Sequence, residues 1–183
     1  MIGNRPFIRM EYFNGKNLNQ ILNKYGTLNP KKSLELIKNI VEALNHAHEE
    51  VGIIHRDLKP SNLMASSPNQ FRIIDFGLSI FIENDLHSRF TKTGENTISG
   101  YYTAPELISN PKLIDKRSDI YSIGAIWYTL LTGQPPAGSS FWDNLNQIEG
   151  ISQEYIECIS GCLKNINERT FNCNVLLTQL EKL

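Results

Sequence analysis

The sequence is short of cysteine, of net charge and of long apolar runs, and each shortage removes a class of protein. Three cysteines in 183 residues cannot build a disulfide framework, which fits a reducing cytoplasm. Cys158 and Cys162 stand one helical turn apart and could share a metal ion. No histidine or further cysteine pair lies nearby in sequence, so packing inside a helix is the expected reading. A formal net charge of −1 gives no electrostatic reason to expect nucleic acid or an anionic membrane as partner. No apolar stretch reaches membrane-spanning length, and the opening from Met1 to Pro6 reads as too polar for a secretory signal. What remains, at 40% hydrophobic and 20% charged, is the composition of one ordinary globular domain with a sizeable core.

Along the chain, Phe7 to Phe13 alternates in part and ends at Asn14-Gly15, which predicts a strand. A short helix is expected through Leu18, Ile21 and Leu22. Asn29-Pro30 supplies a cap and a first-turn proline, and Leu34, Ile37, Val41, Leu44 and His48 repeat at helical spacing. An amphipathic helix from Pro30 to about Glu50 follows. Gly52–Ile54, Leu63-Met64 and Phe71–Ile74 are short apolar pieces suited to small strands beside loops. The stretch from Leu78 to Thr103 is polar, irregular and rich in Ser and Thr, as functional loops often are. Arg117 to about Thr132 predicts a central helix, apolar on more than one face and stopped by Gly133. Helical patterns around Phe141–Gln147, Gln153–Leu163 and Asn174–Leu180 close a mainly α unit with a few short strands.

Chemistry concentrates in Ile54-His55-Arg56-Asp57-Leu58-Lys59-Pro60-Ser61-Asn62 and in Asp75-Phe76-Gly77. Two carboxylates, an amide and a lysine at fixed offsets on two nearby loops suit holding magnesium and aiming a hydroxyl at a phosphate. Taken singly, Asp-Phe-Gly is commonplace in turns and Asp-x-Lys is usually a solvated loop. Their joint occurrence is specific. It resembles the catalytic and metal-binding loops of eukaryotic-type protein kinases, and the likeness continues to Ala104-Pro105-Glu106. Lys59 within Asp-Leu-Lys-Pro-Ser-Asn resembles the serine/threonine class, and Thr91-Lys92-Thr93 lies where bacterial kinases similar to it carry paired phosphothreonines.

That resemblance implies a kinase-like helical C-terminal lobe with hinge strand and short β-hairpins, across residues 1–183, with an activation segment at 75–106. It implies ATP and Mg2+ as cofactors and a protein bearing Ser or Thr as substrate. Asp57 would be the catalytic base and Lys59 would neutralise the phosphoryl group. Asn62 and Asp75 would hold magnesium, and Gly77 would let the chain turn after the metal ligand. Ser99 aligns with the hydroxyl residue that contacts Asp57 and Lys59, although Ile98 replaces the glycine expected before it. For the nucleotide, Met10 would be the gatekeeper and the backbones of Glu11 and Phe13 would meet the adenine edge. Asn17 would reach the ribose, Ser61 would join Lys59 near the nucleotide, and Met64 would floor the adenine pocket; without the resemblance, Met10 and Met64 read as core residues. His55, Phe76, Glu106, Asp119 and Arg169 would be architectural: Glu106 with Arg169 as a buried ion pair, Asp119 as anchor of the backbone around His55 and Arg56. Arg56 before Asp57 implies regulation by phosphate on the activation segment, at Thr91, Thr93 or Thr97; a solvated polar loop is the alternative.

The resemblance covers the larger kinase lobe. The glycine-rich loop over the phosphates, the strand lysine and its helix glutamate have no counterpart in this sequence. The expectation is weak ATP binding and slow or no transfer by this chain alone. Three readings follow: a catalytic-lobe fragment, one half of a split kinase completed by an N-lobe chain or by self-association, or a non-catalytic scaffold.

Overall fold

The computed structural model describes residues 9–67, 70–76, 100–138 and 141–183. In chain order the elements are β1 (Lys16–Asn17), α1 (Leu18–Tyr25), α2 (Pro30–His46), a π-turn (Ala47–Val51) and a 3-10 turn (Pro60–Asn62). Strands β2 (Leu63–Ser67) and β3 (Gln70–Ile73) follow. Helices α3 (Pro105–Ser109), α4 (Arg117–Thr132), α5 (Phe141–Asn146), α6 (Gln153–Leu163) and α7 (Cys173–Leu180) complete the described elements.

Helix starts are set by side chains that accept otherwise unpaired backbone N–H groups. Asn29 accepts from Lys32 N, Ser152 from Tyr155 N and Asn172 from Val175 N. Asn17 and Gln20 form a reciprocal capping box at α1. Helix α4 is the centre: every residue from Ser118 to Leu131 except Tyr121 is buried. It packs against α2, α5 and α6, while α7 lies on α2. One phenol ties three helices. The Tyr155 hydroxyl accepts from Trp127 Nε1 at 2.9 Å, donates to the Pro30 carbonyl at 2.9 Å, and lies 2.8 Å from Ser33 Oγ.

The sheet is small and antiparallel, in the order β1-β2-β3. Lys16 faces Ala65 and Asn17 faces Met64, while Leu63 faces Ile73 and Met64 faces Arg72. Gly15 makes this contact possible, since a Cβ there would stand 2.7 Å from the Ala65 carbonyl oxygen.

Three expectations need correction. Residues 9–13 form no strand; Phe7 and Ile8 lie outside the described residues. Among the described residues nothing pairs with 9–13, and the edge of β2 is taken by Lys16–Asn17. Gly52–Ile54 is not a strand either. Gly52 ends the π-turn at φ 74°, and both Gly52 N and Ile53 N donate to Ala47 O, so these amides close a helix end instead of a sheet ladder. Helix α2 stops at His46, and its last turn widens into the π-turn instead of running on as α-helix. The short α3 and the 3-10 turn, neither of which the sequence pattern predicts, complete the differences.

Gly124 sits where α4 meets α6: an added Cβ would approach Cys162 Cβ to 2.6 Å and Leu163 Cγ to 3.1 Å. Alanine would gain up to ~1 kcal/mol of helix propensity, yet overpacking a close helix contact costs about 1–3 kcal/mol. Gly124→Ala is therefore expected to lower the urea midpoint. A variant as stable as the parent would mean that α4 and α6 can separate freely.

Candidate active site

The segment 53–62 is held from below by α4. Asp119, fully buried in its first turn, receives His55 N on Oδ2 at 2.8 Å and Arg56 N on Oδ1 at 2.8 Å. His48, placed by the π-turn, reaches the same Oδ2 with Nε2 at 2.8 Å. Leu58, 1% exposed, plugs the segment into the core. Arg56 adopts φ 66°, a left-handed conformation that costs a non-glycine residue about 1–3 kcal/mol. Its amide bond to Asp119 and a guanidinium bond to the Pro111 carbonyl hold it there.

Above this base, Asp57, Lys59 and Asn62 converge. Lys59 is extended, with Nζ 2.8 Å and 3.1 Å from the two Asp57 carboxylate oxygens. Asn62, in the 3-10 turn, donates Nδ2 to the Asp57 carbonyl at 2.8 Å. Among the described residues its Oδ1 accepts only from Ser61 Oγ, at 3.4 Å. Ile74 N donates to Asn62 O at 2.9 Å, which sets Asp75, the next residue, beside Asn62. Asp75 also has a left-handed backbone, φ 64°. His55 fastens the two loops: Nε2 lies 2.9 Å from Ile74 O, Nδ1 accepts from Asp57 N at 3.3 Å, and the ring stacks obliquely on Phe76 at 4.8 Å. Only the Nε2–H tautomer of His55 satisfies both hydrogen bonds.

Farther on, Glu106 at α3 and Arg169 before α7 form a bidentate ion pair, with Arg169 Nη2 to Glu106 Oε2 at 2.9 Å. Arg169 also donates to the carbonyls of Lys164 and Arg117 and covers the Tyr121 ring at 5.1 Å. Ser122 Oγ donates to the Tyr102 carbonyl at 2.7 Å, and the Tyr102 hydroxyl lies 3.2 Å from Thr129 Oγ1. The segment leading to Ala104 is thus pinned on α4.

The residues expected near adenine are spread along one open side. Met10 is 62% exposed, so it is not a core residue; Glu11 is exposed and Phe13 half-buried under the Arg72 guanidinium. Met64 is half-buried on β2 opposite Asn17, whose Oδ1 is committed to the α1 cap. Gly77, Thr91, Thr93, Thr97 and Ser99 lie outside the described residues. Sequence reasoning missed His48 as part of the anchor. The signal was present: a histidine on the apolar stripe of a helix has to find a buried partner. It also missed Arg117, which grips Asp115 and donates to the Ile166 carbonyl.

Comparison with known proteins decides the family. The model described as protein kinase domain matches residues 3–180. The chain belongs to the protein kinase domain family. It is 40% identical over 134 residues to serine/threonine-protein kinase PknB of Mycobacterium tuberculosis, which covers 73% of this chain and 21% of that protein. A probable serine/threonine-protein kinase PknB of Corynebacterium glutamicum is 37% identical over 131 residues, 72% of this chain and 20% of that one. The chain thus spans about a fifth of the length of these relatives. The PknI kinase domain of M. tuberculosis superposes with a TM-score of 0.68 at 22% identity, over 94% of this chain and 63% of that one. Kinases of this family are phosphotransferases, and the fold is kinase-like.

Burial pushes the Glu106 carboxyl up, but hydrogen bonds from Arg169 and from its own backbone outweigh it and hold the group below its ordinary 4.5. Asp115 shifts the same way, first through its hydrogen bond from Arg117. A carboxylate with a depressed folded value stabilises fully above the unfolded value and loses that stability as pH falls through the folded one. Glu106→Gln is expected to be less stable at neutral pH and to show a shallower loss of stability below about pH 4.5. Urea unfolding followed across that range checks it; an unaltered acid limb would remove the pair from the acid response.

Proposed function

We propose that this chain is the catalytic-lobe part of a protein serine/threonine kinase, which moves the γ-phosphate of ATP onto a serine or threonine hydroxyl of another protein. The observation that carries the reading is the Asp57–Lys59–Asn62 cluster, held beside Asp75 by the Ile74 N bond to Asn62 O and by the His55 ring on the Ile74 carbonyl. Phosphoryl transfer asks mainly for positioning and charge neutralisation, and this cluster offers both. Asp57 orients the substrate hydroxyl and takes its proton. Lys59, extended on the same loop, neutralises the oxygens of the transferring group.

Magnesium suits the donors present. Asn62 spends its amide N–H on Asp57 and keeps Oδ1 as an acceptor, and the Asp75 carboxylate makes no hydrogen bond among the described residues. Two hard oxygens on adjoining loops are what this ion takes alongside phosphate oxygens and water. Bound there, it would neutralise charge on the phosphates; Asn62 and Asp75 fix where.

Met64 and the backbones of Glu11 and Phe13 provide an adenine wall below Met10, with Ser61 near the phosphate side and Asn17 Nδ2 left for the ribose. Ser99 is assigned to the Asp57–Lys59 pair, and phosphate on Thr91, Thr93 or Thr97 would compensate Arg56. Three free thiols, all buried, favour a reducing cytoplasm as the working compartment. Among the described residues no helix is long and apolar enough to cross a membrane. The exposure of Met10 and of Tyr12, at 85%, supports a second reading: one half of a split kinase, covered there by another chain, with weak nucleotide binding when uncovered.

Asp57→Asn should lower labelled-phosphate transfer from Mg-ATP at least ~100-fold, the usual scale of a general base, while leaving the urea midpoint close to the parent's. Equal turnover would end the assignment of Asp57. No transfer by either protein, with transfer on adding a kinase small lobe, would select the split reading.

A further inference from the structure

The anchor below the catalytic loop extends one residue beyond what phosphoryl transfer explains. Cys173, the first residue of α7, brings Sγ to 3.6 Å from His48 Nδ1, and His48 Nε2 meets Asp119 at 2.8 Å. All three are sealed from water: Cys173 is 1% exposed, His48 2% and Asp119 0%. The row therefore runs from the C-terminal helix, through the π-turn, to the carboxylate that holds the His55 and Arg56 amides. The charged neighbours are known. Asp119 and the Glu49–Lys116 ion pair, 3.1 Å, are the charges that act on Cys173, and the Arg56 guanidinium is spent on the Pro111 carbonyl.

An imidazole has two distinct nitrogens, and the bond made by one decides which proton the other carries. We propose that Cys173 is a positioning residue: its thiol donates to His48 Nδ1, so that His48 keeps its proton on Nε2 and aims that N–H at Asp119 Oδ2. Burial, with help from Asp119 and Glu49, pushes the Cys173 thiol up to about 12, so it stays protonated and able to donate. A thiol is a weak donor, but it faces a buried acceptor that no other described group reaches. Without it, Nδ1 is left unsatisfied in the core, and the ring is free to tilt away from Asp119. The helix α7 thereby helps to fix the height of the catalytic loop.

The inference takes its functional meaning from the proposed phosphoryl transfer, but its test needs no activity. In the chain labelled with 15N-histidine, long-range proton–nitrogen spectra are expected to show His48 Nε2 protonated and Nδ1 bare. A protonated Nδ1, with sulfur as acceptor, would overturn the proposal. Two variants separate donation from packing. Cys173→Ser keeps a donor with less volume; Cys173→Val keeps the volume with no donor. The His55 and Arg56 amide resonances should stay near the parent positions in the serine variant and move in the valine variant. The reverse pattern would reduce Cys173 to core filling. Should the serine variant not fold, the nitrogen spectrum of the unaltered chain still decides.

Discussion

The Asp119 carboxylate is the point on which the site rests. It is a buried charge, and such a group is tolerated only when its oxygens are fully hydrogen-bonded. Here they are filled by two consecutive backbone amides and one imidazole. Each bond to a charged group is worth about 1.5–3 kcal/mol, so together they exceed the roughly 1–3 kcal/mol stored in the left-handed Arg56. The strained turn before Asp57 persists because α4 makes the alternative worse. Helix α4 can do this because it is buried on nearly every side and cannot shift to follow the loop.

Around that anchor the structure joins its parts by side chains that each serve two elements. His55 gives its amide to Asp119 on α4 and spends its ring on Asp57, Ile74 and Phe76, so the loop carrying Asp57 and the loop carrying Asp75 share one fastener. Arg169 does the same for α3, α4 and the turn before α7. None of these contacts touches a reacting atom. They set the distances between the groups that would.

Much of this was legible in the residues. The helix limits of α4 and α6 follow from apolar periodicity and from Gly133, because a core helix must be apolar over most of its surface. The clustering of Asp57, Lys59 and Asn62 is local and follows from spacing along one loop. The first strand misled because alternation in 9–13 shows only that an extended chain would be amphipathic; a strand also needs a partner, and the edge of β2 was taken three residues later, by Lys16 and Asn17. Gly52–Ile54 misled for a related reason, since the amides of Gly52 and Ile53 were claimed by the helix end at Ala47. Periodicity marked His48 as buried but not its partner, because its contacts with Asp119 and Cys173 span 71 and 125 residues.

The π-turn carries a consequence for how this chain can vary. His48 and His55 both end on Asp119 Oδ2, so the stretch between them forms a closed ring with a single oxygen atom as its clasp. A ring of fixed closure cannot lengthen by moving its ends. Any residue gained or lost in it must be taken up inside the wide turn, which acts as the slack in the loop. The end of α2 and the start of the segment that carries Asp57 therefore travel together as one rigid link, whatever the spelling between them.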